Sequence, residues 1–268
     1  MRVPDGVRKC VVFLGLPNGE ERVSFIGTAF FVLIPSSVEG TSYIYLVTAK
    51  HVAEKLENNP FVLRINTKDG QSVLFDVEEA KWFFHPTDSS VDAAVLPWAP
   101  SRREFDYKAV HVNTFLSDEI IQKEGIGAGD EVFITGLFAC VIGSARNLPI
   151  VRTGNVAMMP DEVIPTQFGN IEAYLVEARS IGGLSGSPVF VRKTVPLGMG
   201  EGYLLGLIRG HWEIPTQRKN DLLMNDDLFE KVNTGIAIVV PAKKILEVLN
   251  HPELVKMREQ HDKEILPK

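Results

Sequence analysis

The sequence predicts an all-β chain, a sandwich or barrel, and three observations carry that reading. Its apolar runs are short and mostly β-branched or aromatic. Clusters of turn residues separate them. Long amphipathic helices, which a βαβ chain would need between its strands, are missing.

The strand-like runs fall at residues 11–14, 28–34, 43–48, 62–65, 93–96, 131–135, 173–176, 188–191, 203–208 and 235–240. Pro17-Asn18-Gly19, Lys68-Asp69-Gly70 and Gly127-Ala128-Gly129-Asp130 are among the breaks. Two short helices are predicted. One covers Lys50–Leu56, just after a strand; the other, Ala242–Leu249, follows Pro241 and carries Ile245, Leu246, Val248 and Leu249 as an apolar stripe. A helix of that kind buries its stripe against a barrel. Residues 100–112 are polar and form the best linker between two strand-rich halves. Residues 213–231 are charged and poor in strand signals, so they read as a surface loop beside a cleft. The division is residues 1–108, residues 109–250 including the helix, and a charged tail over 251–268 with some helical pattern and weak order.

A chain of 268 residues suits one large domain or two small ones, and it buries a sizeable core without covalent staples. The formal net charge of -6 gives no reason to expect nucleic acid as a partner, and the basic pairs Arg102-Arg103 and Lys243-Lys244 are too short for a phosphate-binding stripe. Cys10 and Cys140 each lie in or beside an apolar run and read as buried free thiols, with a disulfide between them left open. Residues 1–10 mix charges with Pro4 and Gly6, so no signal peptide is expected. No run approaches a membrane span. The expectation is a cytoplasmic, reducing location without membrane partners.

Three motifs carry chemistry. Gly183-Leu184-Ser185-Gly186-Ser187-Pro188 precedes a strand. A nucleophilic serine needs an exposed hydroxyl on a tight turn with backbone N–H groups nearby, and the glycines permit such a turn. The strand that follows, where an α/β-hydrolase elbow would have a long helix, rules that elbow out. Tyr45-Leu46-Val47-Thr48-Ala49-Lys50-His51 presents an imidazole at a strand end, as a general base requires. Val91-Asp92-Ala93-Ala94-Val95-Leu96 opens an apolar strand with a carboxylate, which needs a partner such as a histidine N–H. Singly, each has a plain alternative: a Gly/Ser turn, a surface histidine, a turn aspartate.

Together, in the order His…Asp…Ser, they resemble the trypsin-like serine peptidases of chymotrypsin fold. Gly27-Thr28-Ala29-Phe30-Phe31-Val32 is similar to the strand before the histidine in bacterial HtrA-like protease domains, here without a following PDZ module. Residues 129–136, 205–208 and 235–241 resemble strands of the second barrel. The resemblance implies two six-stranded antiparallel β-barrels with a C-terminal helix, and a triad of His51, Asp92 and Ser185. It also implies an oxyanion hole from the N–H groups of Gly183 and Ser185. The expected activity is a serine endopeptidase acting on protein or peptide, with no metal and no cofactor. The histidines at 85, 111, 211, 251 and 261 lack H-E-x-x-H spacing. Ser187 is a minor alternative nucleophile.

The chain departs from the family in three ways. Leu184 replaces an acidic residue and the N-terminus is not of the Ile-Val-Gly-Gly type, so control is expected through loop order or an activating partner. Arg179 and Arg209 fall near the specificity pocket and the catalytic aspartate. One or both make the pocket basic and favour an acidic side chain on the acyl side of the cut, or they pair with carboxylates such as Glu177 or Glu213; alternatively Arg209 pairs with Asp92 and depresses activity. The rival function is a catalytically weak protease-like module that binds extended peptides.

Overall fold

The computed structural model describes residues 3–19, 22–167, 169–178, 182–192, 202–217 and 229–265. A short helix α1 (Asp5–Lys9) leads into β1 (Val11–Pro17), β2 (Val23–Pro35) and β3 (Ser42–Thr48), then α2 (Lys50–Leu56). The first half continues with β4 (Phe61–Asn66), β5 (Ser72–Val77), β6 (Phe83–Phe84), β7 (Ala94–Pro97) and β8 (Val110–His111). These form an eight-stranded sheet in the order β5-β4-β1-β2-β3-β7-β6, with β8 on β2. All its pairs are antiparallel except β2–β8.

The second half opens with α3 (Asp118–Glu124) and continues through β9 (Glu131–Gly136), β10 (Ile150–Met158), β11 (Ile164–Thr166), β12 (Gly169–Ile171), β13 (Tyr174–Glu177), β14 (Pro188–Arg192), β15 (Tyr203–Gln217) and β16 (Phe229–Pro241). Six of these close into a barrel, β10-β13-β16-β15-β14-β9, while β11 and β12 form a separate hairpin. Helices α4 (Ala242–Leu249) and α5 (Pro252–Ile265) end the chain.

The fold is mostly β, as the periodicity requires, and the two short helices coincide with their predicted bounds. There are two main apolar cores, and the first also takes in Phe133, Leu137, Phe190, Leu204 and Leu207 of the second half. In the first, Phe13, Phe30, Phe31, Leu46 and Leu63 are buried together with Ile245, Val248 and Leu249 of α4 and Leu254 of α5, so the chain's end returns to the first sheet. The second packs Ile134, Leu184, Val189, Leu205 and Val239. The expected linker is itself packed: Tyr107 tilts onto Phe31 with ring centroids 4.5 Å apart.

Several expectations are corrected. Residues 213–217 and 229–231, expected in a loop, pair as the ends of β15 and β16, while residues 218–228 lie outside the described residues. Helix α5 spans most of the charged tail, in which weak order was expected, and is docked by Leu254 and by polar contacts. Arg258 donates to the Tyr45 hydroxyl at 3.0 Å and to the Leu249 carbonyl at 2.9 Å. Asp262 accepts from the hydroxyls of Ser36, Ser37 and Tyr43, which hold its carboxyl far below the usual range. Both cysteines are free, but only Cys10 is buried, and burial pushes its thiol up to about 12; Cys140 is exposed.

One tie between the halves comes from Arg64 on β4. It is buried and donates to the carbonyls of Ile142, Gly143 and Ser144 at 3.1, 2.9 and 3.1 Å, seating the loop after β9 on the first sheet. Asn147 completes the seat through the Arg64 carbonyl at 2.6 Å and the Asn66 side chain at 2.7 Å.

Candidate active site

Strand β3 ends at Thr48, and Ala49 turns in extended conformation into α2 without a side-chain cap of its own. The first N–H groups of a helix lack intrahelical acceptors. Asp92 supplies one from across the sheet: its Oδ1 accepts the His51 backbone N–H at 2.9 Å, and its Oδ2 lies 2.8 Å from His51 Nδ1. The second contact places the proton on Nδ1 and leaves Nε2 as the acceptor nitrogen. The His51 side chain is 38% exposed and that of Asp92 only 6%, so a half-open imidazole stands on an enclosed carboxylate.

Asp92 ends a tightly held loop. His85 Nδ1 accepts the N–H groups of Thr87 and Asp88 at 3.3 and 2.9 Å, so its Nε2 carries the proton toward Glu247, 2.6 Å away on α4. Asp88 binds both the N–H and hydroxyl of Ser90, and Lys50 donates to the Ser89 carbonyl at 3.1 Å. In the sequence His85 stands alone, without metal-site spacing. Here it anchors the loop that carries Asp92.

Burial raises the Asp92 pKa, but the hydrogen bonds and charge of His51, with a smaller contribution from Arg209, outweigh it and leave the carboxyl below the ordinary range. A carboxylate held low in the folded state adds stability above its unfolded value of about 3.9, and that stability is lost as pH falls through the folded value. The urea-unfolding midpoints of the wild type and Asp92→Asn are therefore expected to differ at neutral pH and to converge below about pH 4. A gap that persists unchanged into stronger acid would contradict this.

Ser185 sits on a turn whose Gly183 and Gly186 have φ of +94° and +81°. The turn is tied to the barrel by Gly186 N–H to the Ile208 carbonyl at 2.8 Å and Ile208 N–H to the Ser187 carbonyl at 2.9 Å. Among the described residues its hydrogen bonds to the first half all go to Thr28. The Thr28 N–H donates to the Ser185 carbonyl at 3.0 Å and its hydroxyl to the Gly183 carbonyl at 2.9 Å. The same hydroxyl accepts Leu137 N–H at 2.9 Å, and the Thr28 carbonyl accepts from Thr48 Oγ1 at 2.7 Å. Thr28→Val keeps the shape but strands the buried Leu137 N–H and the half-buried Gly183 carbonyl. It is expected to cost about 2–4 kcal/mol in urea unfolding and to slow any reaction at Ser185. A neutral substitution on both measures would remove Thr28 from this role.

The Ser185 hydroxyl donates at 3.4 Å to the Arg209 carbonyl; it makes no hydrogen bond to His51 among the described residues. The N–H groups of Gly183 and Ser185 have no acceptor among the described residues. Ser187 is fully buried and out of reach as a nucleophile. Leu184 is buried in the second core. The Arg209 guanidinium turns onto the aspartate: Nε is 3.6 Å from Asp92 Oδ2, and Nη1 donates to the Ser90 carbonyl at 3.2 Å. Arg179 lies outside the described residues. A cavity of about 280 Å³ opens beside this cluster, lined in part by Ser90, Asp92, Asn170, Glu172, Arg209 and Lys244. Among the described residues no group of three His, Cys, Asp or Glu side chains is placed to hold a metal, and no helix is long and apolar enough to cross a membrane.

No protein-family model matches the chain, and no curated protein matches it in sequence. Among solved structures it is similar to the apo MamO protease domain from Magnetospirillum magneticum, at 17% identity over 90% of this chain and 96% of that one, with a TM-score of 0.53. It is also similar to human heparin binding protein, at 11% identity over 94% of this chain and 96% of that one, with a TM-score of 0.51. At these identities the likeness concerns the fold, which is the trypsin-like serine-protease fold.

Proposed function

We propose that the protein is a serine endopeptidase that cleaves protein or peptide substrates through an acyl-enzyme, with His51, Asp92 and Ser185 as its triad. The observation that carries this reading is the double hydrogen bond of His51 onto the enclosed Asp92, at the end of the same strand pair that grips the Ser185 turn through Thr28. The Ser185 hydroxyl swings from the Arg209 carbonyl to His51 Nε2 and attacks the scissile carbonyl. His51 takes the proton and delivers it to the leaving amine, and Asp92 stabilises the imidazolium. The Gly183 and Ser185 N–H groups receive the oxyanion. Water then hydrolyses the ester, with His51 again as base.

Two features bear on specificity and control. Arg209 is engaged with Asp92 and Ser90, so a preference for an acidic side chain on the acyl side of the cut rests on Arg179. A peptide-library profile without enrichment of Asp or Glu would remove that preference. Leu184, buried and uncharged, has no ion pair to form with a newly cut N-terminus, which favours control by loop order or an activating partner.

A second reading has its own support. The resting hydrogen bond of Ser185 to Arg209 suits a protease-like module that binds extended peptides, and one structural neighbour is named for binding heparin. Labelling of the purified protein with a fluorophosphonate separates the two. The peptidase reading expects modification that maps to Ser185 and disappears in Ser185→Ala and His51→Ala. Folded protein that stays unlabelled favours the binding module.

A further inference from the structure

Arg209 touches both sides of the candidate triad. Its guanidinium lies 3.6 Å from the Asp92 oxygen that also faces His51 Nδ1, and is steadied by the Ser90 carbonyl at 3.2 Å. Its own carbonyl holds the Ser185 hydroxyl at 3.4 Å. The Arg209 side chain is 14% exposed and that of Asp92 6%, so solvent screens their attraction less than at an open surface. Other charges nearby are committed elsewhere. Lys50 reaches the Ser89 carbonyl and Glu54 on α2, Asp88 binds Ser90, and Lys244 on α4 lies between Glu172 and Glu247. Among the described residues, only His51 and Arg209 pair with the Asp92 carboxylate.

We propose that Arg209 is a positioning residue that shares the Asp92 carboxylate with His51 and so holds the site in a slow state. The inference rests on the triad reading of the preceding subsection. When His51 takes the serine proton it becomes a cation, and an unshared carboxylate stabilises that cation through a short contact. With Arg209 in place the carboxylate already carries a permanent counter-charge, and part of its stabilisation of the imidazolium is cancelled. The Arg209 carbonyl adds to this by giving the serine hydroxyl a second acceptor. Arginine does not lose its proton, so the brake is constant in chemistry and is released only by moving the side chain.

The test uses the full chain in three variants. Arg209→Gln removes the charge and keeps a donor for Ser90; Arg209→Met removes both and covers the case in which the glutamine variant does not fold; Arg209→Lys keeps the charge. The uncharged variants are expected to label with fluorophosphonate about tenfold faster than wild type, the low end of what a charge a few ångströms away does to a proton equilibrium. Arg209→Lys is expected to bring back the slow rate. A second readout needs no catalysis: the low-field proton resonance of His51 Nδ1–H, which moves further downfield once Asp92 is no longer shared. An unmoved resonance in both uncharged variants, or labelling slowed by loss of the charge, overturns the proposal. Absence of labelling in every protein while the resonance still moves supports the shared carboxylate and ends the peptidase reading instead.

Discussion

Ser185→Ala and His51→Ala are each expected to lower kcat/KM for peptide hydrolysis by about 10⁴- to 10⁶-fold, and the double variant to fall no further than the worse single one. The non-additivity is the informative part. A hydroxyl without a base is a poor nucleophile, and a base without its hydroxyl has nothing to activate, so removing either removes the unit. Independent, multiplicative losses would show that the two residues act separately. Ser185→Ala should leave the urea midpoint nearly unchanged, because the hydroxyl makes one long hydrogen bond, whereas His51→Ala is expected to cost about 1–2 kcal/mol in urea unfolding, because it removes the imidazole partner of the enclosed Asp92 carboxylate. A large loss of stability would move the explanation from catalysis to folding.

Gly186→Ala is expected to be among the most disruptive single substitutions in the chain. With φ at +81° the position is left-handed, a conformation that costs a side-chain-bearing residue about 1–2 kcal/mol. The larger cost is steric. A Cβ would stand 2.2 Å from the Thr28 carbonyl oxygen, 2.3 Å from Thr48 Oγ1 and 3.0 Å from the Ala49 nitrogen. Those atoms belong to β2, β3 and the start of α2, which are paired and buried and cannot yield. The expected loss is about 4 kcal/mol or more in urea unfolding, with the Ser185 turn displaced in whatever folds. Gly182→Ala is the control, since a Cβ there meets nothing within 4 Å. Equal unfolding midpoints for the two variants would mean that the turn is not wedged against the first half.

Local signals made much of this legible. Strands β2, β3 and β14 and helices α2 and α4 announce themselves in apolar pattern and flanking residues. The three site motifs are each contiguous, so their residue types could be read before any contact was known. Strand β10 was not legible, because Arg152, Thr153, Gly154 and Asn155 interrupt it; its ladders to β9 and β13 decide its state, and Gly154 is needed where a Cβ would meet the Glu177 carbonyl at 2.1 Å. Helix α5 reads as a solvated tail because most of its docking groups are polar and the partners of Asp262, Ser36, Ser37 and Tyr43, lie more than 200 residues earlier. For the same reason the roles of Thr28, His85 and Arg64 escape a linear reading: Thr28 binds Gly183 across 155 positions, His85 meets Glu247 across 162, and Arg64 reaches Ile142 across 78. The pairing of Arg209 with Asp92 is visible in sequence only as one option among several.

The seat that Arg64 provides has a consequence for how the molecule comes apart. Its acceptors are peptide carbonyls, which do not titrate, and its donor is a guanidinium, which acid leaves charged. The fastenings at Asp262 and Asp92 are of the opposite kind, since both depend on an ionised carboxyl. Acid therefore works on the molecule in sequence: it loosens the terminal helix and the loop before β7, while the loop after β9 stays seated on the first sheet until the sheet itself yields.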